Sequence, residues 1–254
     1  MFGMNDKLLR GRRAVVTGAG SGIGAAIALA YAQAGARLLL ADLDRTRVED
    51  MALRCSDAGG EARVVVGDIS DETVANRAID ACVAAWGGID ILVNNAGMLT
   101  QSPCASMSTQ MWDDMLRVDL RSVFLCTRRA VPHMSAQRWG RVINVASQLG
   151  IKGGVELSHY AAAKAGVIGF TKSLALEMAP ANVLVNAIAP GPIATPLVEG
   201  ISADWKRAKE ASLPLGRFGR PEEVAPTALL LASDPGGNLY VGQTLGPNSG
   251  DVMP

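Results

Sequence analysis

The stretch Thr17-Gly18-Ala19-Gly20-Ser21-Gly22-Ile23-Gly24 constrains this chain more than any other. The apolar run Ala14-Val15-Val16 precedes it, and an alanine-rich segment from Ala25 to Ala32 follows. That order reads as strand, tight turn, helix. Glycine lets the backbone turn where a Cβ would collide, and it lets a ligand come close. A helix that starts in such a turn points its free N–H groups and partial positive charge back into it, which suits a diphosphate. The spacing departs from a plain G-x-G-x-x-G pattern, because Gly20, Gly22 and Ala25 place alanine last.

The rest of the chain alternates in the same way. Apolar runs at 37–41, 64–66, 89–93, 142–145, 183–189 and 243–245 read as strands. Segments 45–58, 71–86, 109–138, 160–178 and 222–232 read as helices. Ser70 is a candidate N-cap. Pro132 is expected to kink or break the long zone 109–138. Pro221 suits a first helical position, whereas Pro226 conflicts with the helix around it. Continuous apolar strands separated by helices imply a parallel sheet covered on both faces. The expected fold is therefore a single α/β domain over 1–254, a Rossmann-type doubly wound sheet of about seven strands. Ligands in such sheets bind beyond the carboxyl ends of the strands. The unusual residues fall there: the glycine turn, Asp42, Asp68, Asn94 to Gly97, Ser147 and Pro190-Gly191.

Apolar residues make up 49% of the 254, enough for a large core, and Lys+Arg equal Asp+Glu at 24 each. A zero net charge argues against nucleic-acid and anionic-membrane partners. No run reaches the roughly 20 apolar residues of a membrane span. Residues 1–13 carry no apolar stretch typical of a signal peptide. Cys55, Cys82, Cys104 and Cys126 are scattered, which suggests reduced thiols in the cytoplasm. The two histidines, His133 and His159, form no metal-ligand pattern.

Four positions suggest chemistry. Asp42 ends the second strand, where a carboxylate accepts hydrogen bonds from adenosine ribose hydroxyls and repels a 2′-phosphate. Neither Ser21 nor Leu43 supplies a cation for that phosphate, so NAD is favoured over NADP; a surface or capping aspartate is the alternative. Tyr160 and Lys164, four apart, share one helix face. A lysine cation stabilises phenolate and fits tyrosine for proton exchange with an alcohol or carbonyl. Such pairs are also common on helices without a catalytic role. Ser147 follows a strand and either hydrogen-bonds a substrate oxygen or simply caps a turn.

Taken in order, these pieces resemble the short-chain dehydrogenase/reductase family along nearly the whole chain. The matching motifs are Thr17-Gly18-x-x-x-Gly22-x-Gly24, Asn94-Asn95-Ala96-Gly97, Ser147, Tyr160-x-x-x-Lys164, Asn186 to Gly191 and Arg217 to Ala225. The resemblance implies hydride transfer with a nicotinamide cofactor. Tyr160 would be the general acid/base, Lys164 would lower its pKa and hold the nicotinamide ribose, and Ser147 would orient the substrate oxygen. Gly18, Ser21, Gly22, Ile23 and Gly24 would cradle the cofactor, with Asp42 and Leu43 at its ribose. Asp68 and Ile69 would flank the adenine. Asn95, Ala96 and Gly97 would line the cleft, and Pro190, Gly191, Ile193 and Thr195 would hold the nicotinamide. The resemblance also implies a homotetramer paired through 109–138 and 160–178.

Three departures stand out. Asp119 replaces the family's asparagine, whose backbone carbonyl holds a water linked to the catalytic lysine. Its charge is expected to raise the Tyr160 pKa unless the carboxyl stays protonated or pairs with a nearby arginine such as Arg117 or Arg121. Leu184 replaces a frequent arginine. The tail Leu245 to Gly250 replaces Val-Asp-Gly-Gly and is expected to alter a subunit contact or a substrate wall. The substrate end should include Met98, Leu99, Gln148, Leu149, His159 and Pro192, with a lid at about 196–215 carrying Val198, Ile201 and Trp205. It reads as mostly apolar, with no lysine or arginine cluster for a carboxylate or phosphate. His159 is expected to pack or face solvent. The leading expectation is an NAD-dependent enzyme acting on a secondary alcohol or ketone. The alternatives are a 3-oxoacyl thioester reductase and a dinucleotide-binding sensor or scaffold with impaired catalysis.

Overall fold

The computed structural model describes residues 7–198 and 202–253; the first six residues of the leader reading and Ile201 of the expected lid lie outside them. The chain begins with β1 (Arg13–Thr17), α1 (Gly22–Gln33), β2 (Arg37–Asp42), α2 (Arg45–Asp57) and β3 (Glu61–Val66). It continues through α3 (Glu72–Trp86), β4 (Ile91–Asn94), α4 (Thr109–Leu116), α5 (Ser122–Ala136) and β5 (Gly140–Val145). After these come α6 (Leu149–Lys152), α7 (Ser158–Met178), β6 (Val183–Ile188), α8 (Ala203–Ser212), α9 (Pro221–Ala232) and β7 (Thr244–Leu245). The strands form one seven-stranded sheet in the order β3-β2-β1-β4-β5-β6-β7. Every pairing is parallel.

Apolar alternation explains the layers. Leu38 and Leu40 of β2 pack with Ile27 and Tyr31 of α1 on one face. Leu39 points to the other face, beside Val15, Ile79 and Leu92. Successive strand side chains alternate in this way, so a sheet covered on both sides reads as a continuous apolar run. Each fully buried leucine contributes roughly 1.5–3 kcal/mol. Tyr31 donates its hydroxyl to the Ala228 carbonyl at 2.9 Å, tying α1 to α9.

Two local expectations change. Asp71, not Ser70, caps α3, accepting from the Thr73 N–H at 2.6 Å. Ser70 is buried and donates its hydroxyl to Asp68 at 2.6 Å instead. The zone 109–138 does not break at Pro132, which stays inside α5 and forgoes one backbone bond, that to the Arg128 carbonyl four residues back. The interruption is a π turn at Arg117–Arg121, between α4 and α5, and it carries Asp119 into the interior.

The chain runs outward from β1 to β3, then returns to place β4 on the other side of β1. This reversal opens a crevice at the carboxyl ends of β1 and β4. Thr17 Oγ1 braces it by accepting from the N–H groups of Asn95 at 3.0 Å and Ala96 at 3.1 Å. The Asn95 amide donates back to the carbonyls of Thr17 at 3.0 Å and Gly18 at 3.1 Å.

Candidate active site

A cavity of about 810 Å³ fills this crevice. Gly18, Ser21, Gly22 and Ile23 line one end of it. Gly18 and Gly22 have φ of +62° and +54°, in the left-handed region that favours glycine. A Cβ on Gly18 would lie 2.8 Å from the Ala96 Cα. Gly24 does not line the cavity; a Cβ there would meet the Gly18 carbonyl oxygen at 2.1 Å, so this glycine serves close packing.

Asp42 and Leu43 form the wall beyond the glycine turn. The Asp42 carboxylate is fixed by the N–H groups of Gly20 at 2.8 Å and Asp44 at 2.9 Å. The sequence reading missed Arg47, which lines the same end and pairs with Asp44 at 3.2 Å. It lies in the first turn of α2, beyond Ser21 and Leu43, where a cation for a 2′-phosphate is expected. Asp68 and Ile69 also line the cavity. Asp68 accepts from the Ser70 N–H at 2.9 Å and pairs with Arg117 at 2.8 Å. Burial would raise its carboxyl pKa, but Ser70 and Arg117 outweigh burial and hold it below the ordinary value.

Asn95, Ala96 and Gly97 run along the floor, with Pro190, Gly191, Ile193 and Thr195 opposite. At the far side stand Ser147, just after β5, and Tyr160 and Lys164, on the first two turns of α7. All three are buried. The Lys164 ammonium lies 5.6 Å from the Tyr160 ring centre and donates to the Val145 carbonyl at 3.0 Å. Ser147 stands close enough to Tyr160 to lower its pKa, and its hydroxyl accepts from the Leu149 N–H at 3.1 Å. The structure thus brings together side chains from β5, α7 and the π turn that sequence spacing alone left apart.

Comparison with known proteins agrees with this arrangement. The family model described as Enoyl-(Acyl carrier protein) reductase matches residues 18–250. A 3-oxoacyl-[acyl-carrier-protein] reductase of Thermotoga maritima is 39% identical over 96% of this chain and 99% of its own. A cis-4-hydroxycyclohexanecarboxylate dehydrogenase of Sinomonas cyclohexanicum is 41% identical, covering 94% of this chain and 96% of its own. The crystal structure of levodione reductase superposes with a TM-score of 0.92 at 32% identity, over 95% of this chain and 98% of that one. The chain is a short-chain dehydrogenase/reductase.

Within this short-chain dehydrogenase/reductase, Asp119 is fully buried and its Oδ2 pairs with Lys164 at 3.1 Å. Its Oδ1 accepts from the Met98 N–H at 2.8 Å. Neither expected arginine reaches it. Arg117 turns to Asp68 and Asp114, and Arg121 donates to the Ser70 carbonyl at 2.7 Å. Burial raises the Tyr160 pKa; Lys164 and Ser147 pull it down, Asp119 pushes it up, and the net direction is up. Burial would lower the Lys164 pKa, but Asp119 and Tyr160 outweigh burial and keep the ammonium charged.

His159 is buried outside the cavity lining and bonds Thr100 Oγ1 through Nε2 at 2.8 Å. It packs against Thr100 rather than facing the cavity. The substrate end is apolar over Met98, Leu99, Leu149, Pro192 and Trp205, but the expectation of no lysine cluster fails. Lys152 of α6 and Lys209 of α8 both line it and share Asp251 of the tail, at 2.7 and 2.6 Å. The Gln148 amide donates to the same carboxylate. The tail therefore braces this part of the cavity wall through Asp251.

Proposed function

We propose that this short-chain dehydrogenase/reductase is an NAD(H)-dependent oxidoreductase that interconverts a secondary alcohol and a ketone. The observation that carries the reading is a buried tyrosine, paired with a lysine cation and a serine, facing the same cavity as the glycine turn and Asp42. The residues fit a dinucleotide. The cradle at Gly18 would be filled by any Cβ, and α1 starts in it with free N–H groups. Asp42 suits paired ribose hydroxyls and repels a 2′-phosphate. Arg47 is occupied by Asp44, which limits its support for NADP. Asp68, Ile69 and Asn95 to Gly97 suit the adenine side and floor. Pro190, Gly191, Ile193, Thr195 and Lys164 suit the nicotinamide half. When bound, the cofactor accepts or delivers the hydride.

Tyr160 takes the proton from the alcohol oxygen during oxidation and returns it during reduction. Lys164 stabilises the phenolate by its charge. Ser147 holds the same substrate oxygen. We assign Asp119 a positioning role through Lys164. α8 closes the substrate end as a lid, with Trp205 on its inner side.

Mixing the protein with NAD and a panel of secondary alcohols, and following absorbance of the reduced nicotinamide, tests the reading. No turnover of any alcohol or ketone with either cofactor would refute it and favour a non-catalytic dinucleotide binder. A second reading, reduction of 3-oxoacyl thioesters, is supported by the name of the Thermotoga maritima relative; acetoacetyl-CoA in the same assay distinguishes it. Exposed Phe124 on α5 and Leu176 on α7 support the homotetramer, which light scattering would test. Among the described residues no helix is long and apolar enough to cross a membrane. The four cysteines are unpaired, three of them buried, which supports a reducing compartment such as the cytoplasm.

A further inference from the structure

Lys152 and Lys209 reach the cavity from different elements, α6 and α8. Lys152 Nζ lies 2.7 Å from Asp251 Oδ1, and Lys209 Nζ lies 2.6 Å from Asp251 Oδ2. Asp251 does not itself line the cavity; it stands behind the two ammonium groups as a backstop, with its side chain 8% exposed. No second carboxylate pairs with either lysine among the described residues. Two cations thus share one anion in a largely apolar wall. The excess positive charge is open to the cavity, with the Lys152 side chain 33% and the Lys209 side chain 18% exposed, so an incoming anion can reach both. Each ammonium has three donors and commits one to Asp251, so donors remain on both. A carboxylate offers two oxygens to match them.

The placement also sets a length. Lys152 closes α6, whose first residue follows Ser147 by two, so two residues of connection and one helical turn put it within about 12 Å of the serine along the chain. One small molecule can therefore span both points. We propose that Lys152 and Lys209 bind a substrate carboxylate, so that the compound turned over is a hydroxy acid or oxo acid with an apolar body. The proposal rests on the alcohol–ketone reading for the reacting group, but not for the anion site. It disfavours acyl thioesters, which carry no charge near the reacting carbonyl.

The test uses the full-length protein with NADH. Calorimetric titration compares cyclohexanecarboxylate with cyclohexanecarboxamide, neither of which can be turned over. The carboxylate should bind at least about tenfold more tightly. Lys152→Met and Lys209→Met should each abolish that preference while leaving carboxamide affinity unchanged, and Lys152→Arg should retain it. Asp251→Asn should tighten carboxylate binding, because a competing negative charge is gone. Equal affinity for the two ligands, or variants that weaken both alike, would overturn the anion site and leave the lysines as structural ties to the tail. A steady-state arm compares 4-oxocyclohexanecarboxylate with its methyl ester. A rise in KM for the acid alone in the methionine variants supports the proposal, and equal use of acid and ester by wild type overturns it. Carboxylate-selective binding without turnover of either would keep the anion site and refute the alcohol–ketone reading. Preference for acetoacetyl-CoA over both would refute the assigned substrate class.

Discussion

Asp119→Asn should shift the pH dependence of alcohol oxidation toward acid. The carboxylate is 3.1 Å from the Lys164 ammonium, which is 5.6 Å from the Tyr160 ring centre. Those spans put the charge within about 9 Å of the ring, where an effective dielectric near 20 gives about 2 kcal/mol against phenolate. That corresponds to roughly one pH unit or slightly more. Asparagine keeps an acceptor for the Met98 N–H but removes the charge, so the packing is largely preserved. Lys164 loses an ion-pair partner, which lowers its own pKa; its bond to the Val145 carbonyl remains. Oxidation needs the ionised tyrosine, so the rising limb of kcat/KM against pH reports its pKa in the free enzyme. The limb should move to lower pH by about one unit, with activity at neutral pH retained or increased. Superimposable profiles, or a shift toward alkali, would refute the electrostatic account. A variant active where wild type is inert would instead mean that Asp119 has silenced the native protein.

Other perturbations test other parts of the site. Asp42→Ala with Leu43→Arg should narrow or reverse an NAD preference of at least about tenfold, or about 1.4 kcal/mol, and equal wild-type kcat/KM for the two cofactors would remove its basis. Tyr160→Phe should cut turnover by roughly 10²–10⁴-fold while NADH affinity by fluorescence titration stays near wild type; retention of a tenth of the activity would contradict its proton-transfer role. Asp251→Asn should lower thermal stability at neutral pH by about 2 kcal/mol, since the buried carboxylate holds two ammonium groups. Lys152 and Lys209 depress the Asp251 pKa against the opposing effect of burial. Its contribution is therefore present above the unfolded value near about 3.9 and lost as pH falls through the lower folded value. Denaturant unfolding of both proteins should converge in that acidic window, and a difference that persists below it would contradict the assignment.

The sheet was legible because a strand buried on both faces has no polar side to blur its boundaries. Leu38-Leu39-Leu40 reads the same whichever helix covers which leucine. Caps were less legible, since Ser70 and Asp71 are both suitable residue types. Asp68 decided between them by taking the Ser70 hydroxyl, a contact set by the loop rather than by local preference. The π turn had no signal at all. Arg117 to Arg121 is an ordinary helical stretch in composition, and Pro132 drew attention to the wrong turn.

The site divides along the same line. Residues that shape the backbone or end a strand, such as Gly18, Gly22 and Asp42, declare themselves by position. Charges that matter through pairing do not, because their partners come from distant elements. Asp119 has arginines beside it in sequence yet meets Lys164 of α7. Asp251 joins lysines from α6 and α8. The two buried carboxylates differ in a way that counts for substrate orientation. Asp119 holds one ammonium, so that pair is near neutral. Asp251 holds two, so the cavity wall at Lys152 and Lys209 keeps an excess of positive charge. A substrate anion finds no net attraction at the first pair and is attracted at the second. Charge alone would then point the alcohol carbon of a hydroxy acid toward Tyr160, before any apolar contact selects its shape.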